Sequence, residues 1–160
     1  MPVYASAETM RDLRRVFEFA FNGLNAFPGY LKPEPHVIDG PFKLGETLIT
    51  PLPVPHGDSI VNGYLFSRAD QKLVAYLSDC SAVPDKIVEE ISEVKALIID
   101  ALRDKPHPTH LSVEQALEIA SRVRPETTYF THICHDLPQS AEFRLPGGVR
   151  IAYDGLKLRL

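Results

Sequence analysis

The period of the hydrophobic pattern changes once along this chain, close to Asp79, and that change limits the folds open to it. Between Thr47 and Leu77 three β-rich runs, Thr47–Val54, Ile60–Ser67 and Lys72–Leu77, follow one another through the turn-forming segments Pro-His-Gly-Asp (55–58) and Arg-Ala-Asp-Gln (68–71). Short runs of β-branched and aromatic residues separated by such turns read as a meander. After Asp79, helices and strands alternate instead. Pro84 opens a helix that buries Ile87, Val88 and Ile91, and Ala96–Ile99 is an apolar strand ending in Asp100. Ser112-Val113-Glu114-Gln115 has the spacing of a capping box, and Val113, Ala116, Leu117, Ala120 and Val123 share one helix face before Pro125 stops it. Thr127–Thr131 is then a short strand with His132 at its C-terminal end. A meander that passes into strand–helix alternation predicts an α/β chain with one mixed β-sheet and flanking helices.

The two ends extend this plan. Val3-Tyr4-Ala5 reads as a strand, and Ser6 is placed to cap a helix that begins at once. Leu13, Val16, Phe17, Ala20, Phe21 and Leu24 recur at intervals of three and four, which predicts one continuous helix of about four turns ending near Gly23. Phe27 to Pro35 is rich in Pro and Gly and reads as a loop whose Phe27 and Tyr30 cap a pocket. Val149–Tyr153 and Leu156–Leu160 are expected to form a last hairpin through Asp154-Gly155.

Composition narrows the function classes. The chain has 160 residues, 44% of them hydrophobic, and a net charge of −4. With a pI near 5.8, it lacks the broad basic surface that nucleic-acid backbones require, so nucleic acid is not expected as a partner. No apolar run reaches the roughly 20 residues of a membrane span, and Met1-Pro2-Val3-Tyr4 lacks the regions of a signal peptide, so the expected location is the cytoplasm. Cys80 and Cys134 have no C-x-x-C spacing and read as free thiols of a reducing compartment.

Four polar residues fall at strand ends or in the loops that follow them: His56, Asp79, His110 and His132. In sheet-based enzymes such ends gather ligands, because the scaffold fixes the backbone while the side chain faces a cleft. Three imidazoles and a carboxylate also match the ligand set of zinc and related divalent ions.

The segments that carry these residues, Pro53–Gly57, Ala75–Ser81, Pro106–Ser112 and Tyr129–Leu137, resemble successive motifs of the metallo-β-lactamase-fold metal-dependent hydrolases. They are most similar to the phosphodiesterase branch, that of the cyclic-phosphodiesterase enzyme of phosphonate breakdown. The resemblance implies that His56 is the lone histidine ligand of one metal, Asp79 a carboxylate bridging two metals, and His132 a ligand of the second. It implies that His110 is a catalytic residue and no ligand, protonating the leaving oxygen or steadying charge on phosphate. It also implies two divalent ions, zinc or manganese or else iron, and a small or cyclic phosphodiester as substrate. The family's H-x-H-x-D-H signature does not occur in these residues. The expectation is therefore a single partial domain over residues 1–160, the C-terminal half of an αββα sandwich, inactive alone and completed by an N-terminal half or a partner chain. An uncovered apolar face would also favour a homo-oligomer. The alternative is a non-catalytic remnant or binding module that keeps half of the fold.

Other polar residues have plainer readings. His107 and His135 are expected as outer partners or loop residues, Asp100 as a cap for Arg103 or a holder of a ligand histidine, and His36 as structural. Arg103 and Lys105 read as surface charges, and Cys80 as a small packed residue.

Overall fold

In the computed structural model, which describes residues 1–24, 27 and 29–160, the change of period at Asp79 is a change of strand direction. The chain separates into two compact units, Met1–Phe42 and Lys43–Leu160.

In the first unit β1 (Pro2–Ala5) leads into α1 (Ala7–Val16), α2 (Glu18–Phe21) and β2 (Glu34–Val37), which pairs with β1 in parallel. Ser6 caps α1 as its sequence position predicts, its Oγ accepting from the Thr9 N–H at 3.2 Å. The long helix does not continue. Phe17 leaves helical geometry (φ −112°, ψ 39°), and Leu24 lies past α2 with 82% of its surface exposed. Only Met10 of α1 is buried, so the apolar stripe beyond it has no packing within the described residues to enforce one helix axis. Tyr4 stacks on His36 and on Phe42, at ring-centroid distances of 4.6 and 5.0 Å, which gives His36 its structural place. Phe27 and Tyr30 pack on each other and stay exposed, rather than over a pocket. Pro28, part of the same expected loop, lies outside the described residues, and Glu34 and Pro35 belong to β2.

The second unit is built on the seven-stranded sheet, whose strands β3 (Phe42–Leu44), β4 (Thr47–His56), β5 (Ser59–Arg68), β6 (Gln71–Leu77), β7 (Ala96–Asp100), β8 (Thr127–Thr131) and β9 (Val149–Ile151) lie side by side in chain order. The β4–β5–β6 meander is antiparallel, and β6 to β9 run parallel. The parallel crossovers carry α3 (Asp85–Glu90) and α4 (Val113–Val123). Ser112 closes a full capping box with Gln115, and Arg124 ends α4 in the left-handed region, at φ 54°, before Pro125.

Register sorts the side chains by face. Leu65, Ala75 and Leu97 form one row across β5, β6 and β7, buried in a common core with Leu52, Val54, Leu77, Ile87, Val88, Ile99, Ala116 and Phe130. Burying each aliphatic side chain of this size stabilises the fold by roughly 1.5–3 kcal/mol. The neighbouring row, Tyr64, Tyr76, Ile98 and Tyr129, points to the other face and remains half-buried or exposed.

The expected terminal hairpin is absent. A turn forms at Asp154-Gly155, with Gly155 at φ 87°, but Leu156–Leu160 is not a strand. The outer edge of β9 is already taken by a 3-10 helix, Gln139–Arg144. Gln139 Nε2 donates to the Ile151 carbonyl at 3.0 Å, and Glu142 Oε2 accepts from the Ile151 N–H at 2.8 Å. With both groups satisfied by side chains, a returning strand has nothing at Ile151 to pair with. No described helix is long and apolar enough to cross a membrane.

Candidate metal centre

Strand direction alone brings the candidate residues to one edge. Two antiparallel steps separate β4 from β6, so β4, β6, β7 and β8 all run the same way, and their C-terminal ends line up. His56 ends β4, Asp79 follows β6 by two residues, Asp100 ends β7 and His132 follows β8. His110 comes from the loop between β7 and α4. Asp79 and His132 both take left-handed backbone, at φ 65° and 57°. Such conformations cost about 1–3 kcal/mol each in non-glycine residues and persist where the surroundings impose them. Here they turn both side chains inward over the sheet edge.

Asp79 is the focus. Its Oδ1 lies 3.4 Å from His56 Nε2, 3.5 Å from His110 Nδ1 and 3.6 Å from His132 Nε2. A charge-assisted hydrogen bond would be about 2.7–2.9 Å long. The separations from His56 and His132 match instead those between neighbouring ligands of a tetrahedral ion, about 3.3–3.6 Å for metal–ligand distances near 2.0–2.2 Å. Proton placement agrees. His56 Nδ1 is 2.8 Å from the Thr109 carbonyl, which only accepts, so Nδ1 carries a proton and Nε2 is the nitrogen turned to the carboxylate oxygen. In the Nδ1–H tautomer Nε2 is an acceptor facing an acceptor, a pairing that a cation between the two would satisfy. The residues present thus fit a divalent ion, in donor type and in spacing.

The cluster has an order. Donor atoms of His56, Asp79 and His110 all lie within 4.8 Å of one another, whereas His132 reaches Asp79 without joining that mutual group. His56 and His132 each lie beside His110, with ring centroids 4.9 and 4.8 Å from it. His110 is nonetheless committed elsewhere. Its Nδ1 is 2.9 Å from Asp100 Oδ2, much closer than to Asp79, which leaves Nε2 as its free nitrogen.

Asp100 holds this arrangement from beneath. It is fully buried, and the same Oδ2 accepts from the Cys80 N–H at 3.0 Å, while Oδ1 has no partner among the described residues. Burial pushes its carboxyl above the usual range, opposed by the hydrogen bonds from His110 and the Cys80 N–H. One carboxylate thus braces both His110 and the peptide that follows Asp79. Of the two expected roles for Asp100, capping Arg103 is not observed, since Arg103 meets Asp136 at 3.6 Å; Asp100 holds a histidine, but it is His110, not one of the expected ligands. Cys80 is a packed residue, its thiol pushed up to about 12 by burial and by the charges of Asp100 and Asp79.

The remaining histidines stand outside the cluster. His135 is exposed beside Asp136, and His107 lies 5.0 Å from His110, its pKa lowered by partial burial and by nearby His110 and Arg103. Two participants had no sequence signal. The Thr109 carbonyl orients His56, and Ser81 secures the Pro55 carbonyl through both its N–H (2.8 Å) and its hydroxyl (3.2 Å). Main-chain carbonyls look alike in every residue type, so only the folded loop shows them. Beside His132 an open cavity of about 490 Å³ is lined by Thr131, Ile133, Gln139, Tyr153 and Asp154.

A mixed sheet with helices and a histidine–carboxylate cluster at one strand edge defines an α/β chain with a candidate metal centre. Residues 1–133 match the family model described as Beta-lactamase superfamily domain, and the chain belongs to that metallo-β-lactamase-fold hydrolase family. It is similar, at 38% identity and a TM-score of 0.87, to the solved structure of a diphosphatase from the PhnP family, over 99% of this chain and 57% of that one. The fold also matches the metallo-beta-lactamase fold protein YhfI from Bacillus subtilis (TM-score 0.74, 19% identity, 97% of this chain and 63% of that one). Zn(2+)-bound PqqB from Methylobacterium extorquens matches as well (TM-score 0.73, 18% identity, 100% and 65%). Among curated proteins, an octanoyltransferase of Porphyromonas gingivalis is 27% identical over 98% of this chain and 32% of its own length. The chain spans about a third of that relative and between half and two thirds of these solved structures.

Proposed function

We propose that the protein containing this chain is a metal-dependent phosphodiesterase acting on a small or cyclic phosphodiester through a binuclear site. The observation that carries the reading is Asp79 Oδ1, held 3.4 and 3.6 Å from the Nε2 atoms of His56 and His132, with His56 Nδ1 bonded to the Thr109 carbonyl. His56 would hold one ion and His132 the other, with Asp79 shared between them. Lewis acidity toward a phosphoryl oxygen and acidification of water are what divalent ions supply when bound in such a site. Zinc and manganese suit the donors best, with iron as a third choice. The chain's own acid–base group is His110. Its Nδ1 bonds to Asp100, which orients the ring so that Nε2 can pass a proton to the leaving oxygen and recover it afterwards.

The likeness to a PhnP-family diphosphatase supports cleavage of a phosphorus–oxygen bond. Acyl transfer, the activity named for the Porphyromonas relative, lacks support at this edge. The thiol nearest the cluster, Cys80, is fully buried and stays protonated up to about 12. His56, Asp79 and His132 give each ion one histidine and a shared carboxylate, so we propose that an H-x-H-x-D-H segment outside this chain supplies the other ligands. The half-open row Tyr64, Tyr76, Ile98 and Tyr129 offers an apolar face on which a second sheet would pack. Two free cysteines accord with a cytoplasmic setting.

The test is hydrolysis of bis(p-nitrophenyl) phosphate with added manganese or zinc. We expect the chain alone to match adventitious metal. Joined to the part of the PhnP-family diphosphatase that it does not cover, it should turn over, and Asp79→Ala in the joined protein should abolish that turnover. A joined protein that is folded and metal-loaded yet inactive would sink the phosphodiesterase reading. Asp79-dependent turnover by the chain alone would show that it needs no ligands from elsewhere.

A further inference from the structure

His107 lies outside the metal cluster, yet its hydrogen bonds lead to it. Its Nδ1 lies 3.3 Å from the Thr109 N–H and 3.2 Å from the Thr109 hydroxyl. The main-chain N–H can only donate, so Nδ1 accepts, the ring is neutral, and its proton is on Nε2. The carbonyl of the same Thr109 takes the Nδ1 proton of His56 at 2.8 Å. Thr109 is also pressed from the other side. A Cβ on Gly57 would stand 2.8 Å from Thr109 Cγ2, so only glycine leaves that methyl group its place, and Gly57 further needs its φ of 59°. Pro106 and Pro108 flank His107 and narrow the conformations of the loop. The next residue after Thr109 is His110.

We infer that His107 is a positioning residue: by fixing Thr109 it sets the tautomer and direction of His56, and so aims the His56 Nε2 lone pair at Asp79. The relay runs from side chain to main chain to side chain and needs no contact between His107 and an ion. A histidine that ligates through one nitrogen is oriented by the partner of the other, and loss of such partners typically weakens metal binding by about 10–100-fold. The consequence for metal rests on the reading of His56 as a ligand; the orientation of His56 does not.

The experiment reads the two separately. Long-range ¹H–¹⁵N spectra of the metal-free chain report the tautomer of each imidazole. Zinc affinity is measured by competition with a chromophoric chelator. In the parent we expect His107 protonated on Nε2 and His56 on Nδ1. In His107→Ala the Nδ1–H form of His56 should lose its dominance and zinc binding should weaken by about 10–100-fold. In His107→Asn, whose carboxamide oxygen can accept from the N–H two residues on, both should return toward the parent. A parent His107 protonated on Nδ1 overturns the inference with no variant needed, which covers the case in which His107→Ala fails to fold. An unchanged His56 tautomer in a folded His107→Ala also overturns it, even where zinc binds. A changed tautomer with no zinc bound by any variant, nor by the joined protein, leaves the positioning role standing and removes the metal reading.

Discussion

His110 and His132 are neighbours whose rings stack at 4.8 Å, and their roles separate at single atoms. His110 gives its Nδ1 to Asp100 at 2.9 Å, whereas His132 turns its Nε2 to Asp79. In the joined protein, His110→Ala should keep its metal and lose turnover by about 10²–10⁴-fold, the usual worth of a general acid. The loss should shrink for substrates with good leaving groups, which need less protonation. His132→Ala should lose metal itself, read by elemental analysis after gel filtration. Equal metal loss in both variants would place His110 among the ligands. At this scale the sequence was informative where residue type carries the chemistry, as in His56, Asp79, His110 and His132. It was silent where a main-chain group does the work, as at Thr109 and at the Cys80 N–H.

Among the elements, β5 shows how tightly the site's platform is built. Gly63 sits in its middle, opposite Leu52, and a Cβ there would fall 2.5 Å from Leu77 Cδ2 and 2.8 Å from the Tyr76 carbonyl oxygen. The leucine tip can move, but the carbonyl belongs to β6, whose end leads to Asp79. Gly63→Ala should therefore destabilise the fold by about 1–3 kcal/mol, the usual cost of overpacking, as measured by urea unfolding. Gly147→Ala, with nothing within 4 Å of its added Cβ, should be nearly neutral. Equal effects would mean that the sheet yields at Gly63. Elements with two buried neighbours, such as β6, β7 and α4, were legible because their periodicity reports the burial they receive. The continuous helix predicted over Leu13 to Leu24 and the strand predicted over Leu156 to Leu160 do not form. Their local patterns are sound, but Phe17 breaks the first, and Gln139 and Glu142 occupy the edge that the second required.

For the whole molecule, the open row Tyr64, Tyr76, Ile98 and Tyr129 is the main liability, and Ile60 adds to it with 67% of its surface exposed. We expect the chain alone to self-associate with rising concentration in sedimentation velocity. Tyr76→Lys should reduce that association, and the joined protein should sediment without it. A parent chain that stays monomeric throughout would show that this face needs no cover. The sequence by itself determined the strand order of the meander, the helices that follow it, and the identity of the four residues at strand ends, because alternation, caps and turns are local signals. Tertiary structure alone decided that β4, β6, β7 and β8 end on one edge, that Asp100 grips His110, and that Thr109 aligns His56. Those facts depend on strand direction and on hydrogen bonds across 10 and 53 residues, distances over which a local pattern carries no information.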